Sequence, residues 1–539
     1  MSASTPPTPP EGGPEYLDQG AGGPLASDAP TGKGRRNAIL VGAGVGAVAV
    51  VGAGVWAGMA FFGTGPQPTA ALPDSTLGYV SMDLDPSGEQ QLEAFQTLRK
   101  FPFFTDEVDF AEGDDPLGRL FESLQDQGVC QDLDYAEDID PWLGKSAAVA
   151  AVDLGAEEPT PVVVVGLDDP GAADAGMKRL LACSDSTEEQ VGWRIAGDWA
   201  VIAETDEVAA DVAAATEDGS LADDSDHQRW MDEVGDLGVM TMYVGPDGGR
   251  TLVELAEESG GLTGVDGSTT GSEELMTMME DFAGMAGTLR FADGGLELAV
   301  AADASYLGGD LGITDRAGAA VGDLPEDTVF AYGASVDGAA FIDAYTELVE
   351  RIGGEEIDLD RIWPDAEAQT GLSLPEDLVT LLGDSVVLAV GGDLDVDVLT
   401  NSSDGSDVPV GVRIEGDAAE IEGVLEKVRT QLGADAETIL GSDADGGVVA
   451  IGPNADYRSQ LLAEGGLGDT ATFEDVVRDP DGSGAVLYLD FDGADDWLVS
   501  LAEDADPTVA KNLEPLSAVG MSVALDGDVQ TMTLRLSTD

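Results

Sequence analysis

The segment "LPDSTLGYVSMDLD" at residues 72–85 recurs as "LPEDTVFAYGASVD" at residues 324–337. Five more pairs of segments follow in the same order: 143–150 with 382–389, 161–180 with 409–428, 199–204 with 447–452, 238–245 with 484–491, and 289–300 with 523–536. Six matches in one order are hard to attribute to chance. The sequence therefore predicts an internal duplication, with module 1 at 72–305 and module 2 at 324–539, on either side of a Gly-rich boundary.

Each predicted module alternates short β-branched runs with helical stretches. Val162–Val165 and Val386–Val390 have the composition of strands. The helical stretches are Glu89–Lys100, Ala172–Leu181, Ala340–Arg351 and Ala418–Leu432. Near the end of each module, an Asp-Gly pair between two apolar runs predicts a β-hairpin and hence antiparallel pairing. We predict an α+β fold of two tandem duplicated modules, each a mainly antiparallel sheet with helices on one face.

The segment at residues 38–62, "AILVGAGVGAVAVVGAGVWAGMAFF", contains no polar or charged side chain. As a helix it would extend over ~37 Å, enough to cross a ~30 Å hydrocarbon core. Lys33, Arg35 and Arg36 precede it and no base follows until Arg99, which predicts a cytoplasmic N-terminus. We predict one transmembrane signal anchor, after a disordered tail at 1–37 and before a tether at 63–71. A cleaved signal peptide is the alternative, although its apolar core would be shorter.

Glycines in this segment imitate a dinucleotide-binding fingerprint, G-x-G-x-x-A. That motif requires a preceding strand and an acid about 20 residues later, and neither is present. Two G-x-x-x-G pairs, Gly42 with Gly46 and Gly54 with Gly58, would instead let two membrane helices approach closely. A homodimer through the helix is one interpretation, and glycines that merely fill the span are the other.

The chain has 106 acidic and 23 basic residues, a net charge of −83 at pH 7. Such a surface repels nucleic acid and anionic lipid headgroups, so we expect neither as a partner. A hydrophobic fraction of 43% indicates a folded protein rather than an acidic disordered tail. Cys130 and Cys183 are the two cysteines, and an exterior compartment would allow them to form a disulfide. Two buried free thiols are the alternative.

Motifs that carry chemistry are incomplete in this sequence. His227 is the one histidine, which excludes a multi-histidine metal site, and no G-x-S-x-G elbow supplies a serine nucleophile. Acidic clusters do not complete an EF-hand loop, and a weak calcium site at Asp393, Asp395 and Asp397 is the remaining metal hypothesis. We expect no other cofactor.

Several motifs resemble those of an actinobacterial, membrane-anchored envelope protein family known as domain of unknown function 3352. They are Leu72-Pro73, Asp83-Leu84-Asp85-Pro86, Lys100-Phe101-Pro102 and Pro141-Trp142-Leu143-Gly144, after a basic stretch and an apolar span. The resemblance covers essentially residues 72–539. It implies an anchored exterior domain and no catalytic residues.

Two classes of function remain. The first is a non-enzymatic, single-pass membrane protein with an acidic extracellular region that binds an envelope or protein partner or has a structural role. The second is an extracellular hydrolase that uses carboxylates on a cell-envelope glycan. Two buried acids with raised pKa values in one pocket would favour the enzyme.

Overall fold

The structure, a computed structural model, describes residues 67–85, 130–183, 191–251, 281–305, 311–353, 359–394, 405–493 and 507–539, apart from 157 and 434–435, together with shorter pieces between them. These residues fold into helices and seventeen strands, and the strands form one sheet. All strand pairs are antiparallel except one, in which β1 runs parallel to β2. The strands before residue 310 are β1 (Phe62–Gly63), β2 (Thr76–Asp85), β3 (Leu143–Val152), β4 (Thr160–Leu167), β5 (Gly192–Ala196), β6 (Trp199–Ala203), β7 (Met240–Val244), β8 (Met285–Ala292) and β9 (Gly295–Asp303).

Eight strands follow in the rest of the chain, and they repeat the earlier arrangement. They are β10 (Thr328–Ala334), β11 (Ser385–Gly391), β12 (Val410–Glu415), β13 (Ser442–Asp445), β14 (Val448–Ile451), β15 (Ala485–Asp490), β16 (Leu516–Asp526) and β17 (Val529–Thr538). In the first half, β2 to β9, the spatial order is β5-β6-β4-β3-β2-β7-β8-β9. In the second half, β10 to β17, it is β13-β14-β12-β11-β10-β15-β16-β17.

The two halves join through their last strands, because β9 pairs antiparallel with β17. Each of these strands begins directly after a two-residue hairpin turn. The turn follows Ala292 in the first half and Asp526 in the second. Counted from these turns, Ala299 and Thr533 are equivalent positions, and they lie directly opposite each other. A pseudo-twofold axis therefore passes through this pair, and the result is one continuous sheet where the sequence predicted two.

The local sequence explains the joining hairpins. In the first hairpin, Asp293 and Gly294 take φ values of 49° and 78°, the left-handed conformation that a type I′ turn requires. Burial alternates without a break along β9, "GLELAVAAD", as expected of a strand whose two faces have different environments. We call the face that contains Ala299 and Ala301 the first face and the face that contains Leu298 and Val300 the second face.

Helices lie on both faces of the sheet. The α-helices are α1 (Pro170–Cys183), α2 (Asp206–Asp218), α3 (Ser225–Val234), α4 (Ala317–Gly322), α5 (Gly338–Gly353), α6 (Leu359–Thr370), α7 (Glu376–Leu382), α8 (Ala418–Leu432), α9 (Ala436–Ile439), α10 (Ala455–Leu461), α11 (Ala471–Val476) and α12 (Pro507–Leu513). On the first face, α2 and α3 pack in the first half and α4, α10 and α11 in the second. These two layers contain the largest buried clusters.

The prediction of helices on one face is wrong. In β6, Trp199 and Val201 belong to the first-face core, while Ala200 between them packs against Ala173 and Met177 of α1 on the second face. In the second half, α8 likewise packs on second-face residues of β12 and β14. Strands β6 and β14 are apolar on both faces, so each side needs a cover. The local pattern of a connecting helix does not indicate which face of the sheet it covers.

The predicted transmembrane segment at 38–62 lies outside the described residues, apart from Phe62 in β1. Among the residues that the structure does describe, no helix is both long enough and apolar enough to span a bilayer.

Candidate functional site

The predicted disulfide between Cys130 and Cys183 is present. Cys183 is the last residue of α1, and Cys130 precedes a π-helical turn at Tyr135–Ile139. The same segment carries Trp142, whose indole lies against α1 at Gly176 and donates a hydrogen bond of 2.7 Å to the Asp138 carbonyl. The disulfide therefore links the C-terminal end of α1 to the segment that precedes the π-helical turn, and the alternative of two free thiols is wrong.

The predicted calcium residues are only partly within the described chain. Asp393 is exposed in the turn after β11, whereas Asp395 and Asp397 lie outside the described residues. Within the described part, no group of acids, histidines or cysteines is arranged to hold a metal ion. Gly42, Gly46, Gly54 and Gly58 also lie outside it, so both hypotheses remain predictions.

His227 belongs to a buried polar cluster in the first half. Its Nε2 lies 3.0 Å from the Tyr79 hydroxyl, and its ring meets the ring of Tyr243 edge-on with centroids 4.9 Å apart. Its Nδ1 is buried without a hydrogen-bond partner. Burial lowers the pKa of His227 to about 4, and the nearby Asp224 carboxylate opposes this effect. The imidazole is therefore neutral at pH 7.

The equivalent place in the second half contains no such cluster. Tyr79 faces Tyr243 across β2 and β7, and Ala331 faces Tyr488 across β10 and β15. Phe473 occupies the position of His227, with its ring centroid 5.4 Å from that of Tyr488. The fold can therefore pack this site without a histidine. His227 stands out in the sequence as the one histidine, whereas Tyr79 carries no such signal, because the contact between them joins positions 148 residues apart.

Among the residues that the structure describes, the carboxyl groups with raised pKa values are those of Asp83 and Asp323. Burial raises the pKa of Asp83 at the end of β2 to about 7, against the opposing charge of Lys145. Burial also raises the pKa of Asp323, against the opposing charge of Arg413. Asp83 belongs to the first half and Asp323 precedes β10 in the second. The charged groups that act on Asp83 and Asp323 differ, and neither acid perturbs the other.

A buried ion network lies where the halves join. Arg535 of β17 is fully buried, and its Nη1 donates to Glu297 of β9 at 3.3 Å. Its Nη2 donates to Asp475 at 3.2 Å. Glu297, 5% exposed, also accepts a 2.8 Å hydrogen bond from Arg290 Nε. Four charged side chains thus meet at the β9–β17 junction, which points to a structural role.

The second face of the central sheet is uncharged over most of its width. One row of directly paired residues crosses twelve strands: Val165, Ala147, Met82, Met240, Leu289, Leu298, Leu534, Met521, Leu487, Tyr332, Leu388 and Val412. The adjacent row, which includes Val80, Val300 and Met532, is equally apolar. In a chain in which 24% of residues are charged, this face is a distinct surface.

Parts of this surface are open to solvent. Val80 and Val149 form a facing pair and are 42% and 37% exposed. Tyr332 and Leu388 form the equivalent pair in the second half and are 44% and 40% exposed. Exposed apolar side chains that recur at equivalent positions indicate a binding surface. It is the candidate functional site, and sequence alternation alone could not find it because covered and open faces look alike.

Comparison with known proteins gives one match. The family described as "Protein of unknown function (DUF3352)" matches residues 38–399, which include the predicted anchor and all of the first half. No curated protein and no solved structure matches the chain.

Proposed function

This chain belongs to the DUF3352 family, for which no activity is assigned, and from that premise we propose that it is a non-enzymatic, single-pass membrane protein whose acidic region binds a partner in the cell envelope. The observation that carries this proposal is the uncharged second face with its two exposed pairs, Val80–Val149 and Tyr332–Leu388. A soluble protein rarely keeps such a surface without something that binds it.

The proposed anchor and location rest on the sequence before residue 64. Three bases precede 25 apolar residues and the acidic region follows, which favours a cytoplasmic N-terminus and an extracellular C-terminal part. The disulfide between Cys130 and Cys183 also supports an oxidising compartment. Helix pairing through Gly42, Gly46, Gly54 and Gly58 would make the anchored protein a dimer.

We further propose that the two halves arose by internal duplication. Six sequence matches occur in the same order in both, and the strands of each half pair in the same order. An ancestral copy would have had its last strand at an open sheet edge, and that edge is where β9 and β17 now pair. Pairing of two such edges removes an aggregation-prone surface.

Labelling of single introduced cysteines in intact cells tests the topology. Leu432→Cys lies at a position that is 67% exposed, and Ser4→Cys lies in the predicted cytoplasmic tail. We expect a membrane-impermeant maleimide to label the first variant in intact cells and the second only after permeabilisation. The reverse pattern would overturn the proposed location. Crosslinking in the same cells then identifies bound envelope components.

One observation favours the hydrolase as a second candidate. A carboxyl group with a pKa of about 7, as at Asp83, has the acidity required of a general acid at neutral pH. The test is release of reducing ends from purified cell-wall glycan by the wild type, by Asp83→Asn and by the control Asp211→Asn, an exposed position of α2. Activity that is lost only in Asp83→Asn would establish the enzyme. Absence of activity in the wild type would remove this candidate.

A further inference from the structure

The second face has the shape of a trough. At one end of the sheet, α1 packs on second-face residues of β6, through Ala173 and Met177. At the other end, α8 packs on β12 and β14, through Ile421 and Leu425. Between them, ten strands from β3 to β11 span nine spacings of ~4.8 Å, or ~43 Å. Within this stretch, Ala94 and Leu98 pack on Leu289 and Leu296. The exposed pairs lie on either side of this contact, near the two ends of the stretch.

A second copy of the chain does not suit this trough. Helices rise at both ends and would prevent a second sheet from packing flat on the first. Each copy also has a net charge of −83, so association would bring like charges together around an uncharged floor. An uncharged, narrow and flexible ligand would fit between the helices and would not be repelled by the charge of the chain.

The side chains of the floor suit a flexible hydrocarbon. Six of the thirteen methionines lie on the second face: Met82, Met240, Met242, Met285, Met521 and Met532. Unbranched methionine side chains adapt to ligands of varying shape and are frequent at adaptable apolar surfaces. The hydroxyl of Tyr332 is the one polar side-chain group along the central row. The row therefore offers no charged partner for a charged group of a ligand.

We propose that the trough binds the hydrocarbon chains of an uncharged long-chain lipid, with one chain at each exposed pair. This deepens the proposed function by naming its ligand class, and it rests on the envelope location. A lipid chain extends over ~15 Å, half of a ~30 Å hydrocarbon core, so two chains fit along ~43 Å. The net charge of −83 would repel anionic headgroups, which favours uncharged ligands.

The test uses the full chain reconstituted in nanodiscs with a diacylglycerol that carries a photoreactive diazirine in one acyl chain. After illumination, mass spectrometry locates the labelled peptides. We expect label in β2 and β3 around Val80 and Val149, and in β10 and β11 around Tyr332 and Leu388. A folded protein labelled only in residues 38–62 would overturn the proposal.

Matched variants make the result specific. Val149→Glu with Leu388→Glu places two charges in the trough and should reduce trough labelling at least tenfold. The control, Leu432→Glu with Ile439→Glu, makes the same type of change at exposed apolar positions outside the sheet and should leave labelling unchanged. Val149→Glu alone should abolish label near β3 and retain it near β11. If the glutamate variants fail to fold, threonine variants at the same positions replace them.

Two other results would contradict the inference. Equal labelling of the double variant and the wild type would show that the probe binds elsewhere. Concentration-dependent dimers in sedimentation, lost in Val149→Glu with Leu388→Glu, would assign the face to a second copy. Neither result bears on the topology test with introduced cysteines, so failure of the lipid proposal is distinguishable from failure of the proposed location.

Discussion

His227 shows how one residue can make the first half sensitive to acid. Its neighbours are the two tyrosines, Tyr79 and Tyr243, and the carboxylate of Asp224. Neither tyrosine can stabilise a proton on the ring by charge, since burial also raises the pKa of both. Protonation would thus place a cation in an apolar core with one acid nearby.

This environment predicts a loss of stability in acid. The pKa of His227 is about 4 in the folded protein and about 6.5 in the unfolded chain. Between these values the unfolded state binds more protons, so folding stability is full above pH 6.5 and falls as the pH falls toward 4. The decline is at most about 1.4 kcal/mol per pH unit for one proton. We expect His227→Phe, which copies Phe473 of the second half, to be less destabilised between pH 7 and 5.

Urea unfolding at pH 7 and pH 5 measures this difference. The other acids titrate in both proteins, so the comparison between wild type and His227→Phe isolates the histidine. An identical loss of stability in both proteins between pH 7 and 5 would show that His227 is not responsible.

The buried carboxylate of Glu297 leads to a second prediction at the residue scale, which concerns the free energy of unfolding. Glu297→Gln removes the charge that faces Arg535 and Arg290, and Arg535 stays fully buried. Breaking a buried ion pair from one side costs about 3–5 kcal/mol, so we expect a loss of that size in the free energy of unfolding. Asp293→Asn is the control, because Asp293 contacts the same arginine but its side chain is 75% exposed. Equal effects of both variants would argue against a buried network.

At the element scale, α1 and α8 occupy equivalent places on the second face, and each contains a glycine in a different environment: Gly176 is buried and Gly423 is exposed. A Cβ at Gly176 in α1 would overlap the Trp142 indole, whereas a Cβ at Gly423 in α8 would meet nothing within 4 Å. Gly176 is therefore needed for the close contact between α1 and Trp142, whereas Gly423 faces solvent and has room for a side chain.

This contrast predicts opposite outcomes for the same substitution. Gly423→Ala should stabilise the protein by about 0.5–1 kcal/mol, because alanine lowers the entropy cost of helix formation. Gly176→Ala should destabilise it by about 1–3 kcal/mol, because the helix and the indole must separate. Denaturant midpoints of the two variants measure both effects. A gain in stability for Gly176→Ala would show that the contact can relax.

The sequence pattern predicted many strands and turns, but not which face of the sheet each helix covers. The Asp-Gly turns indicated the hairpins β8–β9 and β16–β17, and the β-branched runs indicated β4 and β11. The sidedness of the helices was not predictable, since a strand such as β6 that is apolar on both faces does not tell which helix covers which side.

At the scale of the whole molecule, net charge dominates the response to salt. With 106 acids and 23 bases, repulsion opposes the compact state, and salt screens it. The screening length falls from about 10 Å at 0.1 M to about 3 Å at 1 M salt. We expect the thermal midpoint to rise through this range and to depend on ionic strength rather than on the cation.

Calcium chloride at matched ionic strength provides the control. A midpoint higher than in sodium chloride would reveal specific calcium binding, and its loss in Asp393→Asn would assign the site. Equal midpoints would contradict the calcium hypothesis, whereas a midpoint that does not change with sodium chloride would contradict the role of charge repulsion.

The sequence by itself determined the antiparallel hairpins, the recurrence of segments in one order and the acidic composition, because these depend on residue type and local spacing. The tertiary structure decided that Cys130 pairs with Cys183, because the two are 53 residues apart. The tertiary structure decided that β9 pairs with β17 to make one sheet, because backbone hydrogen bonds between two strand edges have no side-chain signature. It also decided which apolar face stays open at Val80, Val149, Tyr332 and Leu388, because exposure depends on where distant helices pack.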